Sequence, residues 1–248
     1  MIIKEKKIPV ANTIIVSYDL EWTKNYKIKN GNKPFCFSFV YFDLSTSIKD
    51  LESLDFGFCS YYIEKNEEIP DLIKISDDIL SDFLKKKCII LGHQISSDIS
   101  VLVNHSPEIT PKFQELKELW HKRKTETEYP VIFDTRYDLD RMLENKSRRL
   151  VDVCTELNLD VRQPELKGSM TKMHNDFIEN GKTELMEKLS VLNIRHSLSA
   201  AILYLYYNLE AKEIPYLNIN KVVKSNLSPY YDYINSDSFE NLLIDINL

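Results

Sequence analysis

The chain has 248 residues, 43% hydrophobic and 28% charged, with a formal net charge of −6 and a pI near 5.5. That length holds one sizeable domain with its own core, and the acidic balance excludes a basic coat-type nucleic-acid binder but not an enzyme whose acids are neutralised by metal ions. No apolar run approaches the roughly 18 residues of a membrane span, and Met1 to Lys7 lacks the apolar stretch of a secretory signal, so a cytoplasmic protein with no membrane partner is expected.

Thr13 to Tyr18 (TIIVSY) is a β-branched run that predicts a buried strand, with Asp19 and Glu21 at its end. Lys24 to Lys33 is polar and carries an Asn30-Gly31 turn signal. Phe35 to Leu44 and Asp55 to Ile63 predict two further strands, which makes an antiparallel meander. Ser76 to Lys86 has helical apolar spacing with Ser76 as its cap. Cys88 to Leu91 is a short strand leading into Gly92-His93-Gln94, and Ile95 to Val103 is helical. His105 to Tyr129 is polar and charged and reads as an insertion of loop and helix. Val131 to Phe133 is a brief strand, after which Asp134 is expected to cap a helix to about Leu143, and Ser147 to Leu157 to form another. Residues 160 to 190 are polar, helical or loop, and an apolar helix is predicted from about His196 to Leu209.

From Glu213 the composition changes to a polar, aromatic-dotted tail. The expected organisation is a domain over 1–212 and a C-terminal extension over 213–248. The extension is expected to fold back on the domain; a homodimer or protein-partner contact is the alternative. The plan is α/β, with a mixed central sheet of about five strands flanked by α-helices. Cys36, Cys59, Cys88 and Cys154 are scattered without a CxxC pair and read as reduced core thiols.

Asp19-Leu20-Glu21 recurs in spelling as Asp50-Leu51-Glu52. Only the first follows a strand, where alternate side chains share one face; the second reads as solvated loop acids. In Gly92-His93-Gln94-Ile95-Ser96-Ser97-Asp98, a strand and a glycine turn place an acid in the first turn of a helix. A lone histidine such as His196 is more often a surface or capping residue than a catalyst.

Together and in this order, SYDLEW (17–22), GHQISSDISVL (92–102), IFDT (132–135), LVDVCTELNLD (150–160) and RHSLSAA (195–201) resemble the DnaQ-like, DEDDh 3′–5′ exonucleases of the ribonuclease H-like superfamily. The resemblance implies that Asp19, Glu21 and Asp98 hold two Mg2+ or Mn2+ ions and that His196 is the general base. It also implies a single-stranded DNA or RNA 3′ end as substrate. Two ions about 4 Å apart clamp the scissile phosphate in such sites, and hard oxygens suit magnesium. The family's fourth acid lies five residues after the histidine, where this chain has Ala201. Two explanations remain: an aspartate replaced by alanine, or a native pseudo-nuclease that binds 3′ ends or a partner protein. The four intact groups favour the first.

Around the acids, Leu20, Trp22, Thr23, Lys24 and His93 are the candidate substrate contacts. Trp22 is placed to stack on a base or simply to pack, and Lys24, Lys27 and Lys29 to track phosphates. His93 makes either a contact to Asp98 or, more readily, a local backbone bond. Asp134 reads as a cap and Asp152 as a polar helix position. Tyr204, Tyr206 and Tyr207 read as core and helix surface.

Overall fold

β-branched and aromatic runs build the sheet, and their alternation decides which face each residue lines. A computed structural model describes residues 1–25, 27–29, 31–125, 128–162, 169–208 and 214–245. Its main sheet contains β1 (Ile2–Lys6), β2 (Ile14–Thr23), β3 (Lys33–Asp43), β4 (Gly57–Tyr62), β5 (Cys88–Gly92) and β6 (Val131–Asp134). Their order across the sheet is β1-β4-β3-β2-β5-β6. The pairs among β1 to β4 are antiparallel, while β2–β5 and β5–β6 are parallel.

The molecule is therefore α/β with a mixed central sheet flanked by helices, and the expected meander is present. The sixth strand is β1, Ile2-Ile3-Lys4-Glu5-Lys6 at the sheet edge, with Ile2, Lys4 and Lys6 half-buried and Ile3 and Glu5 exposed. The chain's charged start is thus part of the fold. Charged edge strands discourage further strand addition.

One face of β2 (Ile14, Val16, Tyr18, Leu20) packs into a cluster with α1 (Ile69–Leu84), α2 (Ile95–His105) and α3 (Pro111–Lys122). Four corrections to the sequence reading fall on this part of the chain. α1 starts well before Ser76, with Pro70 in its first turn. Ser76 is therefore no cap: it lies buried in mid-helix and donates its hydroxyl to Tyr18 Oη at 3.2 Å. The stretch read as an inserted loop and helix does hold a helix, α3, but that helix belongs to the core, where its Phe113 and Leu116 are fully buried. No helix follows Asp134; a tight turn leads instead to a short 3-10 helix at Asp140–Met142.

The opposite face of β2 meets α6 (Thr183–Asn208), which follows α4 (Leu150–Glu156) and α5 (Met170–Asn180). α6 is buried round most of its surface from Met186 to Tyr206, as a helix enclosed on all sides must be. His196 thus sits in mid-helix and does not open one. Ser38 and Ser197 hydroxyls meet at 2.8 Å and fix α6 over β3.

The last described segment forms β8 (Leu217–Asn218), paired with β7 (Leu159–Asp160), and then α7 (Ile219–Leu227). Val222, Val223, Phe239 and Leu242 enter the same core cluster as α6. This segment thus packs on the same core as α6, while the 212/213 boundary lies outside the described residues. Asn30 of the turn signal also lies outside them; Gly31 N–H closes a turn onto Ile28 O at 2.9 Å. All four cysteines are buried and free. Among the described residues, no helix is long and apolar enough to cross a membrane.

Candidate active site

The acids do not lie past the end of a strand, as the sequence pattern suggests. β2 continues through them to Thr23. Asp19 pairs in register with Ser38 and Glu21 with Cys36, so both carboxylates point to the α6 face. The register shifts between Glu21 and Trp22; such an irregularity re-aims the side chains that follow it. By contrast, Asp50 and Glu52 stand exposed on a 3-10 helix, Ile48–Ser53.

From β5 the chain reaches the site through a turn that requires Gly92, where a Cβ would lie 2.7 Å from Tyr18 O. Gln94 then adopts the left-handed region, with φ 63°, which is uncommon for a residue with a Cβ. Its N–H donates to Asp134 Oδ1 at 2.8 Å. α2 begins immediately and carries Asp98, 4% exposed, in its first turn. Asp134 is an anchor for this turn: it also accepts from Trp120 Nε1 at 3.0 Å and from Arg136 N at 3.1 Å.

α6 brings the remaining groups. His196 Nδ1 lies 3.4 Å from Asp19 Oδ2 and 3.4 Å from Glu21 Oε1. Ligand atoms of Asp19, Glu21 and His196 all fall within 4.8 Å of one another. One helical turn earlier, Asn193 donates Nδ2–H to Asp19 Oδ2 at 2.6 Å. Asn193 carries no motif in the sequence, where its spacing of three from His196 is its one signal. Ala201 is fully buried in the apolar cluster that also holds Leu198, Ile202 and Leu205, and it does not line the cavity.

No family model matches this chain, and no curated protein does.

Asp19, Glu21, Asp98 and His196 share the wall of a cavity of about 1160 Å³. Trp22, Lys24 and His93 line it too. Leu20 reaches the wall although its side chain is buried in the opposite core cluster. Thr23 lies in a smaller adjoining cavity of about 360 Å³, to which Lys24 also contributes. Lys27 and Lys29 are exposed and line neither. His93 does not orient Asp98: its Nδ1 meets Thr135 Oγ1 at 3.0 Å and its Nε2 meets Arg148 O at 2.9 Å. Burial lowers its pKa to about 4. Asp152 pairs with Arg149 on the surface, and Tyr204 and Tyr206 are core residues.

The charges are in tension. Burial, reinforced by the negative charges of Asp19, Glu21 and Asp134, pushes Asp98 well above the usual carboxylate range. Burial also raises Glu21, against the lowering effect of its bond to His196. On His196 burial opposes the charge, but Asp19 and Glu21 outweigh it and hold the imidazole pKa at about 9. Without a cation, His196 is thus the positive charge that the acids face.

Two buried oxygens in this neighbourhood, Asp98 Oδ2 and Asn193 Oδ1, have no hydrogen-bond partner among the described residues. Unsatisfied buried oxygens are costly, and among carboxylates they are the donors a hard divalent cation takes. The residues present therefore fit Mg2+ or Mn2+.

Proposed function

We propose that this chain is a DnaQ-like 3′–5′ exonuclease domain of the ribonuclease H-like type. On this reading it takes the 3′ end of single-stranded DNA or RNA, with Ala201 at the position where that family has its fourth acid. The observation that carries the reading is the convergence of Asp19 and Glu21 with His196, far apart in sequence, within 4.8 Å, beside a buried Asp98. An antiparallel meander followed by two parallel strands is compatible with the mixed sheet this reading requires.

Asp19, Glu21 and Asp98 would hold the Mg2+ or Mn2+ ions, which polarise the phosphodiester and its attacking water when bound. His196 is held protonated while both carboxylates serve it. Once they no longer do, its pKa falls toward the ordinary range and a ring nitrogen can take the water's proton. The water oxygen bonds to phosphorus, the 3′ oxygen leaves with a proton, and a nucleoside monophosphate is released. Trp22 offers a stacking surface at the cavity wall and Lys24 a cationic rim.

A second reading has its own support. Ala201 sits among aliphatic side chains, which suits a non-catalytic module that binds 3′ ends or a partner protein. The test compares the chain with Ala201→Asp on end-labelled single-stranded DNA and RNA, with Mg2+, Mn2+ or chelator. Metal-dependent 3′–5′ laddering by the parent chain is expected, and the Asp form should not strengthen it, because position 201 faces the apolar cluster and not the cavity. Retained binding with no laddering from either form would replace the exonuclease by the binding module.

A further inference from the structure

We propose that Asn193 is a ligand of the metal site, its side-chain oxygen supplying the fourth donor that the acid set lacks. This rests on the metal reading above and adds a residue to it. Residues three apart on a helix share a face, so Asn193 and His196 both point from α6 to β2. Asn193 is fully buried. Its amide has two donors and one acceptor oxygen. One donor is used, to Asp19 Oδ2 at 2.6 Å, while the oxygen has no partner among the described residues.

A half-turn about the terminal torsion exchanges the amide nitrogen and oxygen. Two oxygens would then converge, Asp19 Oδ2 and Asn193 Oδ1, an arrangement that is repulsive unless a cation lies between them. The same side chain therefore serves two states. With no cation it presents N–H to the carboxylate; with one it presents a carbonyl oxygen, a donor that hard cations accept alongside carboxylates. Neutrality suits this position, because an aspartate would add another negative charge beside Asp19, Glu21 and the strained Asp98.

The test measures Mn2+ binding to the full chain by titration calorimetry and by electron paramagnetic resonance, for the parent, Asn193→Ala and Asn193→Asp. As a ligand, Asn193 lost to alanine should weaken Mn2+ binding by at least about ten-fold, whereas Asn193→Asp should bind as tightly as the parent or more tightly. A residue that only donates N–H to Asp19 gives the opposite for aspartate, which cannot donate, so Asn193→Asp would bind as weakly as Asn193→Ala. That result, or parent-like binding by Asn193→Ala, overturns the proposal and leaves the metal site standing. Absence of Mn2+ binding by the parent overturns both. Should the alanine variant not fold, the aspartate variant decides alone: its melting temperature should fall in chelator and recover with Mn2+.

Discussion

His196 makes stability and pH report on the site without any substrate. Its folded pKa of about 9 stands above the ordinary 6.5. The stabilisation it gives is therefore complete below pH 6.5 and is lost as pH rises through 9. At 1.36 kcal/mol per pKa unit, the difference is worth about 3 kcal/mol. In a chain of this size each kcal/mol moves the melting temperature by about 2–4 °C, so the full effect is roughly 6–12 °C. The comparison is His196→Gln, which keeps a neutral N–H donor at every pH. In chelator, melting curves from pH 6 to pH 10 should show the parent more stable at the acid end, with the gap closing toward pH 9 to 10. A gap that stays constant, or widens with pH, would refute the imidazolium between Asp19 and Glu21. Because a divalent cation competes with that proton for the same carboxylates, Mn2+ affinity should rise over the same interval.

Asp98→Asn removes a buried carboxyl that three neighbouring acids oppose. It should raise the melting temperature in chelator, by about 1 kcal/mol in stability, while weakening Mn2+ binding in calorimetry; a destabilised variant would mean that Asp98 has a partner that compensates its burial. Lys24→Ala should reduce the salt dependence of single-strand binding by about one unit of slope, with Lys27→Ala and Lys29→Ala changing it less, as fluorescence anisotropy across a salt series would show. Trp22→Ala should weaken single-strand affinity by about 1–3 kcal/mol if a base stacks there; unchanged affinity assigns Trp22 to packing. Phe239→Ala, fully buried under the C-terminal segment, should cost about 3–5 kcal/mol in denaturant unfolding, and a neutral result would mean that the segment does not contribute to the core.

Much of this architecture is legible in the sequence because it rests on strong local signals. β-branched and aromatic runs announce β2 to β6, and a glycine turn after β5 announces the start of α2. Asp19 and Glu21 stand out from Asp50 and Glu52 by context alone, and the structure keeps that distinction. What escaped was written in weak or contradictory signals. β1 sets two isoleucines before a Lys-Glu-Lys run, so it reads as a solvated start; its pairing with β4 is a tertiary fact. α6 is apolar on nearly every side and so lacks the one-sided stripe by which an amphipathic helix reveals its length. Its first turns were lost to the polar stretch before it. Asp134 resembles a cap because aspartate caps helices commonly, yet here it ties Gln94, Arg136 and Trp120 together across three segments. Asn193 carries no motif, and only the packing of α6 on β2 brings it to Asp19.

α6 is a partition shared by two tenants. Asn193 and His196 on one side meet the acids. On the other, Arg195 donates to Asn220 Oδ1 at 2.9 Å, and Tyr233 N–H donates to Glu187 Oε2 at 2.8 Å. The C-terminal segment thus braces the histidine from behind, one helix thickness away. Loosening that brace, by truncation or by a partner that pulls the segment off, would leave every carboxylate in place on its strand. It would nonetheless remove the wall against which they work. The segment that carries Asn220 and Tyr233 would then act on the site as a buttress does on an arch, without touching it.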